Sequence, residues 1–508
     1  MKPLTLTALA PRPDAAEAAA TTQVALRQAA WVGVVCQFWV GVLCLAGSIL
    51  LAESGGMTVL CGVVASISCF APLVYAIVRR QWVVLFSCLT IFNLAPIWFL
   101  YLEIILPGHD AYLYSRPMYK MEAVFWAAAF QFFSNLIYLL FWHRVTVPSI
   151  RIFSFLKAVN LSARFYSITA ILTFTVPLVA FWVYYGSGEI LWVALTAGRA
   201  EGGSGGGLLV QDTIGSVSSY MLPLNWVWQL TPLLGTIAFV STEHKGQPLP
   251  LVAFSAGLLV VFEFFLGGSR SIMMSVVAPV LFFYFYYNWD KGLRFWITAG
   301  SLLFVLIGVM ELQVRFRSNL LEVLADPDKA AHSRGLASAT TFDPTQSHRD
   351  NNMYLFCLMV QGYPDRYPYE GFNNFFATLA NPVPRAIWPG KPVLNGANDI
   401  SHQAQFVLDG PLLMGTTSLT YSVVGEAYQA GGMWAMLVYG AVYGVFMLVF
   451  DGLVYYASQR QALSVGVLGV SVFLSFWGYR SFFGLVTFIY PLLLLLLVLY
   501  ACKALKLV

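Results

Sequence analysis

Charge is what this chain has least of: Asp, Glu, Lys and Arg supply only 10% of its 508 residues, against roughly 25% in a soluble domain. That scarcity excludes an ordinary water-soluble globule. A net charge of +4 is also too small to point to nucleic acid. Cysteine carries no pattern: Cys36, Cys44, Cys61, Cys69, Cys88, Cys357 and Cys502 are scattered, without a CxxC pair or a neighbouring His cluster. This argues against a disulfide framework and a zinc site. EGGSGGG at 201–207 lacks the Lys-Ser/Thr ending of a phosphate-binding loop and follows no strand, so it reads as a flexible hinge. What is abundant is apolar surface, at 59% hydrophobic residues. Runs of about 20 apolar residues recur along most of the chain, each long enough to cross a bilayer.

The fold class expected is therefore an all-α polytopic membrane protein. Twelve spans are expected, at 31–51, 57–78, 81–106, 121–142, 165–186, 217–241, 249–266, 271–289, 294–312, 432–456, 462–478 and 483–502. The first follows an Ala-rich polar tail without a small-residue cleavage site, and reads as an uncleaved span. With the N-terminus in the cytoplasm, fifteen Lys and Arg fall in inner short loops and tails against five in outer ones. That asymmetry orients the chain with both termini inside. The organisation is then an inner tail (1–30), nine spans (31–312), a long outer segment (313–431), and three spans with a tail (432–508). The outer segment is larger than connectivity requires. Its MYLFCLMVQGYP and FNNFFATLA runs are too apolar and aromatic for a disordered linker, so short helices are expected there.

Cations outside run against the topological bias and ask for a reason. Arg270 lies in GGSRS and Arg480 in WGYRS, both tight turns between spans; Arg315 and Arg317 follow the ninth span; Arg385 and Lys391 lie in NPVPRAIWPGKP. Four prolines in that dozen residues forbid a spanning helix or a central strand. Each cation also has a plain structural reading. Glu311 and Arg315 pair at i, i+4, Arg270 answers Glu263 on its own helix, and any juxtamembrane Arg reaches headgroup phosphate. As a set, arginines at one membrane boundary suit a phosphate or diphosphate held in bidentate forks, with no metal or cofactor called for.

The order of features resembles the bacterial oligosaccharide repeat-unit polymerases, the Wzy-type O-antigen polymerases. The residues that carry the resemblance are GGSRS at 267–271, PYEGFNNF at 368–375, PVPRAIWPGKP at 382–392 and GTTSLTYSVVGEAYQAGG at 415–432. The layout matches over most of 80–500, the sharp motifs over about fifty residues. The resemblance implies a GT-C-like helical bundle in the bacterial inner membrane with one large periplasmic loop region. It implies glycosyl transfer on the periplasmic face from undecaprenyl-diphosphate-linked oligosaccharides, with a chain-length regulator and other polysaccharide assembly proteins as partners. The residues weighed for this chemistry are Arg270, Arg315, Arg317, Arg385, Lys391 and Arg480 for the diphosphate. Glu426 or His348 would serve as base for the acceptor hydroxyl, and Trp388, Tyr421 and Tyr428 would face sugar. Glu426 has a second reading, as a cap or pair that fixes a helix start. Asp326 and Asp328 form a DPD with no nucleotide-sugar domain around it.

Two rivals accompany this reading. An O-antigen ligase or a peptidoglycan polymerase uses the same lipid anchor. A lipid-linked glycan flippase would show internal repeats and midplane polar residues. Here the mid-span polar residues are few (Asn93, Gln131, Asn135, Asn225, Gln229), and Gln131 and Asn135 share one helix face, as groups that bind a neighbouring helix would.

Overall fold

A computed structural model describes residues 15–50, 55–105, 120–158, 162–188, 224–225, 227–242, 247–266, 270–289, 292–315, 352–380, 383, 388–390, 392, 420–459 and 461–504. Those residues form helices and turns, with no strand among them. In chain order the helices are α1 (Ala15–Leu50), α2 (Gly55–Cys69), α3 (Ala71–Val78), α4 (Cys88–Pro96), α5 (Leu102–Ile105), α6 (Met121–Leu140), α7 (Trp142–Ala158), α8 (Ala163–Tyr185), α9 (Thr231–Val240), α10 (Pro248–Leu266), α11 (Arg270–Asn288) and α12 (Leu293–Arg315). After them come α13 (Asn352–Gly362), α14 (Asn373–Ala380), α15 (Ser422–Asp451), α16 (Val454–Ala457), α17 (Ala462–Trp477) and α18 (Phe482–Ala504). Among the described residues, nine helical stretches are long and apolar enough to cross a membrane, and three shorter apolar helices (Thr231–Val240, Met273–Asn288, Ala462–Trp477) accompany them. This is the architecture of a polytopic helical membrane protein.

Local sequence explains the interruptions. Ser87 caps α4 by accepting from Thr90 N–H at 3.1 Å, and Ser162 caps α8 by accepting from Phe165 N–H at 3.2 Å. Pro96 closes α4, and the next turn, Ile97–Tyr101, widens to a π-helix, because proline has no N–H to return to the preceding turn. α15 is two helical parts joined at a kink, where Gly431 and Gly432 leave helical geometry. Gly432 sits at φ +55, and a Cβ there would lie 2.6 Å from the Tyr369 hydroxyl. The kink coincides with the boundary expected between the outer segment and the tenth span.

Packing inside a bilayer depends on close approach and interhelical polar bonds more than on exclusion of water. A Cβ on Gly444 would lie 2.7 Å from the Ser134 carbonyl, and one on Gly257 2.9 Å from Pro232 Cα, so small residues let α15 meet α6 and α10 meet α9. Asn93 and Asn135 exchange amide bonds at 3.1 and 2.8 Å, and Gln131 donates to the Asn93 carbonyl at 3.3 Å. These mid-span groups fasten α6 to α4. One large buried core unites α1, α4, α6, α15 and α17. A second cluster, around Phe181, Trp228, Val260 and Phe264, knits α8, α10 and α11.

α7 was not anticipated. The stretch between the fourth and fifth expected spans was counted among the inner short loops. It folds as a 17-residue helix whose contacts are with the ends of neighbouring helices: Phe153 on Phe450, Phe155 on Tyr500, and the Tyr456 hydroxyl donating to the Ile150 carbonyl at 2.6 Å. Helix α1 likewise begins at Ala15, well before the expected start of the first span.

Candidate functional site

Buried carboxylates define the two ends of the bundle. At one end Asp451, 1% exposed, accepts from Cys88 N–H at 2.7 Å, Leu89 N–H at 3.1 Å and the Tyr138 hydroxyl at 3.0 Å. It thereby holds the first N–H groups of α4, which have no partner within their own helix. At the other end Glu103 accepts from Met353 and Tyr354 N–H at 2.8 and 3.1 Å, which docks α13 onto the bundle. Glu426 does the same for α18: its Oε2 accepts from Phe482 N–H at 3.0 Å, and Ser481 also hydrogen-bonds the carboxylate. In each case a carboxyl oxygen sits where the unpaired N–H groups of a helix start need an acceptor.

The turn that Glu426 holds is WGYRS. Three further contacts pin it. The Tyr443 hydroxyl donates to the Gly478 carbonyl, Val423 N–H donates to the Tyr479 carbonyl at 3.1 Å, and Arg480 N–H returns to Trp477 at 3.0 Å. Ser422, just before Val423, has φ +64, a left-handed conformation costing an L-residue roughly 1–2 kcal/mol. The Val423 bond, and the Thr420 hydroxyl on Asn352 at 2.7 Å, help to offset that cost. The guanidinium of Arg480 lies 5.2 Å from the Trp477 ring centroid, within cation–π range.

The PYEGFNNF segment packs against the same place. Phe375 stacks on Phe482 with ring centroids 4.8 Å apart and meets Tyr439 at 5.1 Å. Glu370 N–H and Gly371 N–H donate to the Gln429 and Ala430 carbonyls at 3.1 and 2.9 Å, capping the first part of α15 just before its kink. Gly371 makes that turn at φ +73. The Glu370 carboxylate accepts from the Tyr363 hydroxyl at 3.0 Å, Gln429 Nε2 at 2.6 Å and Asn374 Nδ2 at 3.2 Å. Burial, the largest influence, pushes the Tyr363 phenol up to about 12. Rings continue outward: Tyr363 stacks on Tyr369 at 6.4 Å, Tyr369 meets Tyr428 at 6.0 Å, and Trp126 meets Tyr428 at 5.3 Å.

The residues singled out from sequence divide as follows. Glu426 bonds the turn that carries Arg480, through Phe482 N–H and Ser481. Arg270 is the first residue of α11 and Arg315 the last of α12, with side chains outside the described residues. α11 runs antiparallel to α17, since Ser275 shares a cleft with Leu474 and the Pro279 carbonyl lies against Gly469. Arg270 therefore starts its helix at the Arg480 end. Arg317, His348, Arg385, Lys391, Asp326 and Asp328 fall outside the described residues. Trp388 is 46% exposed. Tyr421 and Tyr428, expected to face sugar, are 1% and 4% exposed. Their hydroxyls donate to Gln429 and to the Tyr363 carbonyl, so they stand behind the surface and support it. Sequence reasoning passed over Glu370, Gln429, Tyr369 and the exposed Arg366; Tyr369 and Glu370 lie inside a motif quoted for the resemblance.

Comparison of the chain with protein-family models, with curated proteins and with solved structures finds no match.

Proposed function

We propose that this protein is a polyprenyl-diphosphate-dependent glycosyltransferase that polymerises lipid-linked oligosaccharide repeat units at the Glu426 end of the bundle. The observation that carries the reading is a convergence. Two motifs far apart in sequence, PYEGFNNF and WGYRS, meet at the head of α18 through the Phe375–Phe482 stack. The helix bearing the Glu426 motif binds both. A protein needing only a membrane scaffold has no reason to bring an arginine turn, an aromatic ledge and two hydrogen-bonded carboxylates to one boundary.

In this reading the chain crosses the membrane twelve times, the nine long helical stretches and the three shorter apolar helices each contributing a crossing. The Asp451 end is cytoplasmic: Arg79, Arg80, Arg144, Arg151 and Arg294 lie by sequence and helix direction at that end, as the distribution of positive charge in short loops requires. The Glu426 end is periplasmic and meets undecaprenyl diphosphate at the lipid boundary. An acceptor hydroxyl attacks the anomeric carbon of the donor glycan, its proton passes to a base, and the C–O bond to the diphosphate breaks. Arg480, with Arg270 at the head of α11, stabilises the charge that builds on the departing diphosphate; one such preorganised contact is typically worth about 3 kcal/mol. Glu426 acts as a positioning residue. Its carboxylate already accepts from the head of α18 and so fixes the turn from which Arg480 projects. Tyr369, 39% exposed, and Trp388 offer aromatic faces to sugar.

The test is the purified full chain in liposomes with a lipid-linked repeat unit and no nucleotide sugar. A ladder of lipid-linked glycans is the expected product. Transfer only to a different acceptor lipid would make the protein a ligase. Movement of the lipid across the bilayer without glycan growth would make it a flippase.

A further inference from the structure

We propose that the exposed face of α7 is a docking surface for anionic phospholipid headgroups in the leaflet at the Asp451 end. One side of this helix is accounted for: Trp142, Thr146, Ser149, Phe153 and Leu156 are each at most 7% exposed, and on the other side only Phe155, near the C-terminal end, is covered, by Tyr500. Its contacts with Phe450, Tyr456 and Tyr500 keep it beside the end that Asp451 marks, so it lies along the boundary and does not cross. The opposite side presents Arg144, Pro148 and Arg151 to the surroundings, together with Val147 at 44% and Ile152 at 64% exposure. A helix face in bulk water would be polar, and one in hydrocarbon would be apolar. Guanidinium groups interleaved with branched aliphatic side chains suit the layer between, where apolar groups enter the acyl boundary and cations meet phosphate.

Charge commits the occupant. The sequence WHRVTVPSIRIFSFLKA contains no acidic residue, and among the described residues Arg144 and Arg151 form no ion pair. Seven residues separate them, about two turns, which puts them on the same side. Neutralisation must come from outside the helix, and a lipid phosphate accepts both the charge and the forked hydrogen bonds of a guanidinium. A basic group near an anionic surface contributes about five-fold in apparent affinity, so the pair contributes about 30-fold.

The experiment follows thermal unfolding of the full chain in neutral detergent during titration with phosphatidylglycerol, phosphatidylcholine or inorganic phosphate. Phosphatidylglycerol is expected to raise the midpoint saturably and more than phosphatidylcholine. Arg144→Gln with Arg151→Gln should raise the half-saturating lipid fraction about 30-fold. The corresponding Lys pair should stay close to wild type, and Arg27→Gln with Arg294→Gln should change it less. If the Gln pair does not fold, the wild-type response in high salt decides, since screening must weaken it. Equal stabilisation by the two lipids, an unaltered response in the folded Gln pair, or no loss in salt would each overturn the proposal. Inorganic phosphate reproducing the effect at matched concentration would assign the site to a soluble anion and overturn the lipid assignment.

Discussion

The two ends of the bundle use one device for different purposes. At the Asp451 end, the carboxylate takes two backbone N–H groups and the Tyr138 hydroxyl; every bond closes inward and the result is a joint. At the other end, Glu426 takes Phe482 N–H and Ser481, but the turn it steadies carries Arg480, whose guanidinium lies over the Trp477 ring. The lesson is that a buried carboxylate among apolar helices is not by itself a catalytic signature. What distinguishes the ends is the charge that the secured turn presents.

The comparison breaks most visibly at Asp451. Asp451→Ala leaves two buried N–H groups without acceptors, each costing roughly 1–3 kcal/mol. The expected loss is about 4 kcal/mol of stability, measured by unfolding in detergent, with glycan output falling only as far as folded protein falls. Arg480→Ala should do the reverse: glycan output per folded protein drops about 100-fold, while the unfolding midpoint stays near wild type. Glu426 separates positioning from proton transfer. Glu426→Gln keeps an acceptor for Phe482 N–H and should retain activity within about ten-fold, whereas Glu426→Ala should approach Arg480→Ala. A Gln variant as inactive as the Ala variant would restore Glu426 as the base. Tyr363 carries the smallest effect. Its folded pKa is raised from 10.0 to about 12, so the unfolded state ionises first as pH rises. The stabilisation is complete below pH 10 and is lost as pH climbs from there through about 12. Tyr363→Phe should therefore show a shallower alkaline decline in stability.

Much of the scaffold was legible because hydropathy reports length directly. The apolar runs emerge as helices at or near their expected places, and Gln131 and Asn135 bind the neighbouring helix α4 as their shared face suggested. α7 was hidden because its sequence mixes Arg, Pro and aliphatic residues and so imitates a loop. The carboxylate joints were hidden for another reason. Asp451 and Cys88 are 363 residues apart, Glu103 and Met353 are 250 apart, and no local pattern announces a partner at that distance. At the candidate site, Glu426 and Arg480 were found as separate outliers from the apolar background. That Glu426 secures the turn carrying Arg480 required the fold. Glu370 escaped notice because its partners Tyr363, Asn374 and Gln429 are uncharged, whereas the search for function followed arginine.

The most direct measurement is equilibrium binding of a short-chain polyprenyl diphosphate to the purified protein, with the matching polyprenyl alcohol as reference, in wild type and Arg480→Gln. The expected result is a diphosphate preference of at least ten-fold in wild type that largely disappears in the variant while the alcohol binds both equally. Equal affinity for diphosphate and alcohol in wild type, or a preference untouched by loss of the guanidinium, would contradict the claim that the Glu426-secured turn grips a lipid diphosphate.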